Sequence, residues 1–203
     1  MRTAALILVF HLVASLSFLG CSDASDKAQN LDELTSTCGT PTIPVEQALL
    51  ETEVNGVARR FRLFVPETKA GVTMPILFAF QGGDGGDWPF PQEGLFEALS
   101  REQKVILVRP IAAIQPGNEG AWQLNTTDDT LQDIAFIDAL IDKISARYCV
   151  DPKRIYATGY SLGSMFSYEV LCQMSERFAA IASFAGTMPK SPAACEPKVA
   201  VPL

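Results

Sequence analysis

Short apolar runs alternate with segments of helical periodicity, and this alternation constrains the fold of the chain more than any other feature. The run over 75–81 contains Ile76-Leu77-Phe78-Ala79-Phe80, which is typical of a central strand covered on both faces. The other predicted strands and helices are a buried run over 105–108, a strand over 154–159, a buried run over 179–185, and helices over 95–102, 130–148 and 161–174. This order implies crossover connections, so the sequence predicts an α/β domain with a mainly parallel sheet.

The longest predicted helix, over 130–148, has apolar residues three and four positions apart. They are Ile134, Ile137, Ile141, Ile144 and Tyr148. This spacing places them on one buried face. Asp128 and Asp129 are candidates to cap the N-terminus of the helix, and Pro152 follows its end.

A hairpin is predicted before the first parallel strand. Asn55-Gly56 lies between predicted strands over 49–54 and 59–65, and Asn-Gly tolerates the positive φ angles that tight hairpin turns require. The first two strands of the sheet are therefore expected to be antiparallel. The chain has 203 residues, 48% of them hydrophobic, and it shows no internal repeat, so we expect one core and no second domain.

The charge balance argues against several kinds of partner. Lys and Arg total 16 against 23 acidic residues, a formal net charge of -7. Nucleic acids and anionic membranes bind basic surfaces, so neither is an expected partner. The single histidine, His11, is the only imidazole that the sequence offers as a general base or a metal ligand.

The first 37 residues resemble an export signal followed by a tether. Arg2 precedes an apolar run over 4–19, so residues 1–20 are predicted as a signal peptide. Cys21 ends a stretch similar to a bacterial lipobox and is the candidate lipidation site. Residues 21–37 are polar and are predicted as a flexible tether. We expect a secreted protein or a lipoprotein of the periplasm or cell surface; a cytoplasmic protein is the alternative.

Four cysteines lie after Cys21, and their even number suggests two disulfides in an exported protein. They are Cys38, Cys149, Cys172 and Cys195. The sequence leaves three pairings open, and buried thiols are an alternative. The chain has no Cys-x-x-Cys spacing, and no histidine other than His11 to complete a mixed site, so neither a metal nor a cofactor is expected.

The pentapeptide Gly159-Tyr160-Ser161-Leu162-Gly163 lies where a predicted strand gives way to a helix. In this context the Gly-x-Ser-x-Gly pattern places a serine on a sharp turn, and the glycines let strand and helix approach closely. Ser161 is the candidate nucleophile, and the N–H of Leu162, at the helix N-terminus, is a candidate oxyanion donor. The alternative for Ser161 is an ordinary helix N-cap.

A second oxyanion donor is expected in the loop after the central strand, Gln81-Gly82-Gly83-Asp84-Gly85-Gly86. Gly83 is the candidate, because glycine permits close backbone approach. The alternative is a glycine that only serves a turn with positive φ. A phosphate loop is not supported, since no Gly-Lys-Ser/Thr follows.

With these motifs the chain resembles the α/β-hydrolase branch of feruloyl esterases and polyhydroxybutyrate depolymerase-like esterases. The matching segments are Cys38-Gly39, residues 55–61, Asp133 with Phe136-Ile137, and residues 148–151, 157–161, 177–180 and 185–188. The resemblance implies an α/β-hydrolase domain over 38–203, Ser161 as nucleophile, and a small or polymeric ester as substrate. It also implies a disulfide between Cys38 and Cys149, which leaves Cys172 for Cys195.

The chain departs from the family pattern at two places. Gln81 stands where the family usually has a histidine, and the family's catalytic Asp and His are expected later in the pattern than Leu203. Residues 198–203 are predicted to begin a buried strand. We therefore expect a domain that is incomplete at its C-terminus, the front part of a longer hydrolase that is inactive as this fragment.

Other groups receive no catalytic role. Glu169 and Glu176 are expected to be solvated charges. Trp88, Trp122 and Phe90 are candidates to line a substrate groove, with core or loop packing as the alternative. Phosphoryl transfer and metal hydrolysis lack their ligands. The competing function is a non-catalytic surface lipoprotein that keeps the hydrolase framework as a binding module.

Overall fold

The computed structural model describes residues 28–35, 38–83, 94–113, 121–124, 132–188 and 195–203. Several predictions fall outside these ranges. They concern the signal peptide 1–20, lipidation at Cys21, capping by Asp128 and Asp129, and the placement of Trp88 and Phe90.

Seven strands of the described residues form one sheet. In chain order they are β1 (Gln29–Asn30), β2 (Val45–Val54), β3 (Val57–Val65), β4 (Met74–Phe80), β5 (Ile106–Pro110), β6 (Val150–Tyr160) and β7 (Ala180–Phe184). Their order across the sheet is β1-β2-β3-β5-β4-β6-β7. Strand β3 is antiparallel to β2 and β5, whereas β5, β4, β6 and β7 are parallel to one another. The predicted mainly parallel sheet with an antiparallel N-terminal hairpin is confirmed.

The hairpin turn has the conformation that its sequence predicts. Asn55 and Gly56 have φ angles of 52° and 78°, and they connect the paired residues Val54 and Val57. Positive φ at both central positions matches the right-handed twist of the flanking strands. The turn therefore fixes the register of β2 and β3.

Three helices are seen in the described part of the chain: α1 (Leu95–Gln103), α2 (Gln132–Arg147) and α3 (Leu162–Met174). The predicted apolar face of α2 is buried. Together with α3 it packs in the main core, which contains Phe78 and Phe80 of the central strand β4. Phe96 of α1 packs in a smaller cluster with Ala79 of β4. Among the residues described, no helix is both long and apolar enough to cross a bilayer.

The strand β7 and the residues after it differ from prediction. The run over 179–185 is predicted to be buried, but Phe184 is 58% exposed, because β7 is an edge strand of the described sheet. Residues 198–203 form no strand. They still reach β7, since the carbonyl of Pro202 accepts a hydrogen bond from the N–H of Ile181 (3.0 Å).

Part of the predicted tether packs on the domain. Leu31, in a short 3-10 turn, is fully buried in the main core. Asp32 beside it accepts hydrogen bonds from Lys143 (2.9 Å) and Arg147 (3.0 Å) of α2. The description of a flexible tether is therefore wrong for residues 28–35, since one leucine and one ion-pair cluster hold them in place.

Two disulfides join the cysteines in the pairing that the family resemblance implies. Cys38 is bonded to Cys149 and Cys172 to Cys195, with sequence separations of 111 and 23 residues. The first bond ties the segment before β2 to the start of β6, and the second ties α3 to the C-terminal segment.

Removing either disulfide should destabilise the fold, and the loss should be larger for the bond that closes the longer loop. In the chain-entropy model, the Cys38→Ala/Cys149→Ala pair lowers the free energy of unfolding by about 5 kcal/mol and the Cys172→Ala/Cys195→Ala pair by about 3 kcal/mol. Guanidinium unfolding under non-reducing conditions measures both. An equal loss, or a larger loss for the shorter loop, would contradict this account.

The ion pairs of Asp32 should make stability depend on pH. The hydrogen bond from Lys143, aided by the charge of Arg147, lowers the pKa of Asp32 below its ordinary value. A lowered folded-state pKa stabilises above the unfolded pKa of about 4, and this contribution disappears as the pH falls through the folded-state pKa. Because Asp32 is half exposed, we expect Asp32→Asn to cost only about 0.5 kcal/mol at pH 7 and nothing at low pH.

Urea unfolding of Asp32→Asn at pH 7 and at low pH measures this difference. Glu33→Gln, which changes the neighbouring exposed acid, is the matched control and should leave the midpoint unchanged at both pH values. A deficit for Asp32→Asn that persists at low pH would show that the effect is not electrostatic.

Candidate active site

Ser161 occupies a strained turn between β6 and α3. Its φ and ψ angles are 53° and -116°, a region that residues other than glycine rarely adopt. Such a conformation costs on the order of 1–3 kcal/mol and persists only where the surroundings enforce it. The predicted sharp turn at the end of this strand is therefore present.

Hydrogen bonds from β7 and α3 hold the turn. The N–H of Ser161 donates to the carbonyl of Phe184 (2.9 Å), and its carbonyl accepts from the N–H of Met165 (3.1 Å). One turn further along α3, the hydroxyl of Ser164 hydrogen-bonds to that of Ser183 on β7. Both sides of the strained residue are thus fixed by backbone partners, and no local sequence signal indicates the contact with Phe184.

Glycines make the turn sterically feasible. A Cβ atom at Gly159 would lie within 3.0 Å of the backbone of Gly163, and one at Gly163 would lie within 3.0 Å of the carbonyls of Phe80 and Gln81. Neither glycine has a positive φ. Their role is therefore close approach: β6 meets the first turn of α3, and α3 meets the end of β4.

The hydroxyl of Ser161 does not cap α3, although Ser161 holds the N-cap position. The side chain is partly exposed. The ordinary N-cap alternative is therefore not supported, since a capping serine accepts a hydrogen bond from the first turn of its helix.

The two candidate oxyanion donors lie beside the serine. A Cβ built on Gly83 would be 3.3 Å from Cδ2 of Leu162, and one built on Gly82 would be 3.6 Å from Cβ of Ser161. Gly83 has no positive φ, so a turn requirement does not explain this glycine. The structure thus brings together the end of β4, Ser161 and the first residue of α3, as the sequence predicts.

Comparisons with known proteins show which proteins the chain is similar to. Residues 115–203 match the Dienelactone hydrolase family. The chain is similar to that family over these residues, which make up less than half of its length. It is 28% identical over 134 residues to a bifunctional acetylxylan esterase/xylanase of Neocallimastix patriciarum, covering 64% of this chain and 18% of that protein. It is 36% identical over 84 residues to feruloyl esterase B of Piromyces equi, covering 39% of this chain and 16% of that protein.

The fold of the chain is the α/β-hydrolase fold. The acetyl xylan esterase from Aspergillus awamori superposes with a TM-score of 0.60 at 18% identity, over 74% of this chain and 57% of that one. The resemblance to feruloyl esterases is confirmed. The matched regions span less than a fifth of the two curated relatives.

Trp122 is a packed residue, so the packing alternative holds for this side chain. It is 3% exposed and its ring stacks on Phe166 of α3, with centroids 4.4 Å apart. Its indole N–H donates to the carbonyl of Gln81 (2.9 Å), where the loop with Gly83 begins. The sequence analysis missed this contact, because no local pattern shows which tryptophan reaches a given carbonyl.

The two acidic residues near α3 differ in their exposure. Glu169 is buried at 4% exposure and accepts a hydrogen bond from Gln173 (3.1 Å), so its description as a solvated charge is wrong. Glu176 is exposed, as predicted, and a hydrogen bond from Lys198 lowers its pKa. Within the described ranges, no three His, Cys, Asp or Glu side chains are grouped to hold a metal ion.

Adding one methyl group should show that the turn depends on glycine. Gly159→Ala places Cβ against the backbone of Gly163, which has no flexible side chain to move. Overpacking of this kind costs about 1–3 kcal/mol or more, so we expect a clear fall in melting temperature. Thermal unfolding measures it.

Gly82→Ala is the matched control, because its Cβ would meet only ordinary contacts at 3.5 Å and beyond. It should leave the melting temperature within a few degrees of wild type. Equal effects of the two substitutions would contradict the steric account of the turn.

Proposed function

We propose that this protein is an ester hydrolase of the dienelactone hydrolase and feruloyl esterase type, with Ser161 as its nucleophile. The observation that carries the proposal is the strained backbone of Ser161, held between Gly159 and Gly163 with its hydroxyl free of the helix cap. A protein gains no stability from this strain. Strain of this kind is found where it presents a side chain to a ligand.

The proposed chemistry is acyl transfer through the serine. Oγ of Ser161 attacks the ester carbonyl carbon while a base takes the hydroxyl proton, and the carbonyl oxygen becomes an oxyanion. The N–H groups of Leu162 and Gly83 stabilise that charge, aided by the N-terminal dipole of α3. The carbon–oxygen bond to the alcohol then breaks, the alcohol leaves with a proton, and water hydrolyses the acyl group from Ser161.

The base is the missing component in the 203 residues. Their only histidine is His11, within the predicted signal peptide. Removing the base of a serine triad costs about a millionfold in turnover in a well-studied protease. We therefore propose that the 203-residue chain alone is inactive, and that activity requires an imidazole from outside these residues.

The relatives suggest the class of substrate and the location. Those named as acetylxylan and feruloyl esterases support a carboxylic ester, small or polymeric, as the substrate. The two disulfides fit an oxidising compartment, which supports export directed by residues 1–20, with or without lipidation of Cys21.

A second candidate function follows from the missing imidazole. A surface protein that keeps the hydrolase framework binds an ester-containing ligand without cleaving it. In that case Ser161 is present but is not activated.

Fluorophosphonate labelling tests both functions. We expect the protein expressed from its complete gene to be labelled at Ser161 and to hydrolyse p-nitrophenyl acetate, and the 203-residue chain to remain unlabelled. Ser161→Ala should abolish labelling and lower turnover by about a millionfold. Ser167→Ala is the matched control, because it removes another serine hydroxyl of α3, one bonded to the carbonyl of Gly163.

The outcomes separate the proposals. Labelling of Ser161→Ala would contradict the nucleophile role, and labelling of the 203-residue chain would contradict the need for an added base. No labelling of the complete gene product would favour the binding module.

A further inference from the structure

A hydrogen bond fixes the first peptide group of the loop that contains Gly83. The carbonyl of Gln81 accepts from Nε1 of Trp122 at 2.9 Å, and both residues are buried. The peptide between Gln81 and Gly82 is trans, as are the other described peptides. In a trans peptide the carbonyl and the next N–H point in opposite directions. Fixing the carbonyl therefore fixes the direction in which the loop leaves β4.

The ring of Trp122 is itself held by two aromatic residues. It stacks on Phe166 of α3 with an interplanar angle of 11°, and it meets Phe80 of β4 edge-on at 5.4 Å. These two contacts tie Trp122 to the helix that begins after Ser161 and to the strand that ends before Gln81. The indole therefore connects the start of the loop to both elements that build the turn.

A buried carboxylate holds the backbone next to Trp122. Oδ2 of Asp133, at the start of α2, accepts from the N–H of Gln123 (2.9 Å). The amide oxygen of Gln123 accepts in return from the N–H of Asp133 (3.3 Å). This reciprocal pair fixes the peptide that follows Trp122, and with it the position from which the indole reaches Gln81.

The charge of Asp133 is balanced by Arg59 of β3. The guanidinium donates to Oδ1 of Asp133 at 2.5 Å, lies 4.2 Å from the ring centroid of Phe136, and donates to the carbonyl of Ile111. Both charged side chains are at most 5% exposed. An ion pair this deeply buried gives little net stability, so its geometry is more informative than its energy.

We propose that Trp122 and Asp133 are positioning residues for the oxyanion site, acting through the carbonyl of Gln81 on the backbone of Gly83. This proposal rests on the proposed esterase function. Asp133 holds the segment of Trp122, Trp122 holds the peptide of Gln81, and that peptide directs Gly83 to its place beside Leu162. The oxyanion forms only in the transition state, so the effect falls on kcat rather than on KM.

Trp122→Phe tests the proposal, because it keeps an aromatic ring between Phe80 and Phe166 and removes the N–H donor together with the smaller ring of the indole. In the complete gene product we expect kcat for p-nitrophenyl acetate to fall about 10-fold, less than the roughly 100-fold loss of a whole oxyanion donor. KM should stay within about twofold of wild type. Phe178→Leu, which alters a buried ring packed on Phe78, is the control and should lower stability while leaving kcat unchanged.

Nuclear magnetic resonance gives a readout that needs no activity. In a ¹H–¹⁵N spectrum of the complete gene product, the indole signal that disappears in Trp122→Phe is that of Trp122. We expect Trp122→Phe to shift the amide signals of Gly82 and Gly83. Asp133→Asn should shift the Trp122 indole signal, because the anchor of Gln123 is weakened.

The two readouts separate the possible failures. Unchanged Gly82 and Gly83 signals in Trp122→Phe, or a kcat no lower than that of Phe178→Leu, would overturn the positioning role. If wild-type protein is never labelled at Ser161, the esterase proposal fails, and the glycine signals alone then decide whether Trp122 positions the loop.

Discussion

The close crossing of β6 and α3 is the constraint on which the rest of the structure depends. Gly159 and Gly163 allow the strand and the helix to meet at backbone distance, and Gly163 brings the same helix turn against the end of β4. Ser161, between them, has φ and ψ angles of 53° and -116°. Its strain is offset by the hydrogen bond to Phe184 and by the large apolar core that β4, β6 and α3 share.

Around this crossing, a few buried polar groups connect elements that are distant in sequence. Arg59 of β3, Asp133 of α2 and the segment of Trp122 meet in one hydrogen-bonded group, which ends at the carbonyl of Gln81. Buried polar groups are costly unless they are paired, so each bond restricts the relative positions of its elements. Apolar packing supplies the stability of the domain, and these pairs restrict where the loops of the site can lie.

Much of the fold follows from local pattern, and the failures have a common cause. The Asn55-Gly56 turn, the apolar face of α2 and the turn at Ser161 each depend on residues that are close in sequence, and each is present. Burial depends on what packs against a residue. Phe184 is exposed at an edge strand, Glu169 is buried with Gln173, and Leu31 fills a core position from within a polar segment.

The sequence by itself determined the α/β class, the hairpin, and a serine between two glycines at the end of a strand, because backbone conformation and hydrophobic periodicity are properties of neighbouring residues. Only the tertiary structure decided that Phe184 holds the N–H of Ser161, that Gly83 lies beside Leu162, and that Trp122 reaches Gln81. These contacts join residues 23, 79 and 41 positions apart, and the packing of the sheet and helices sets such distances.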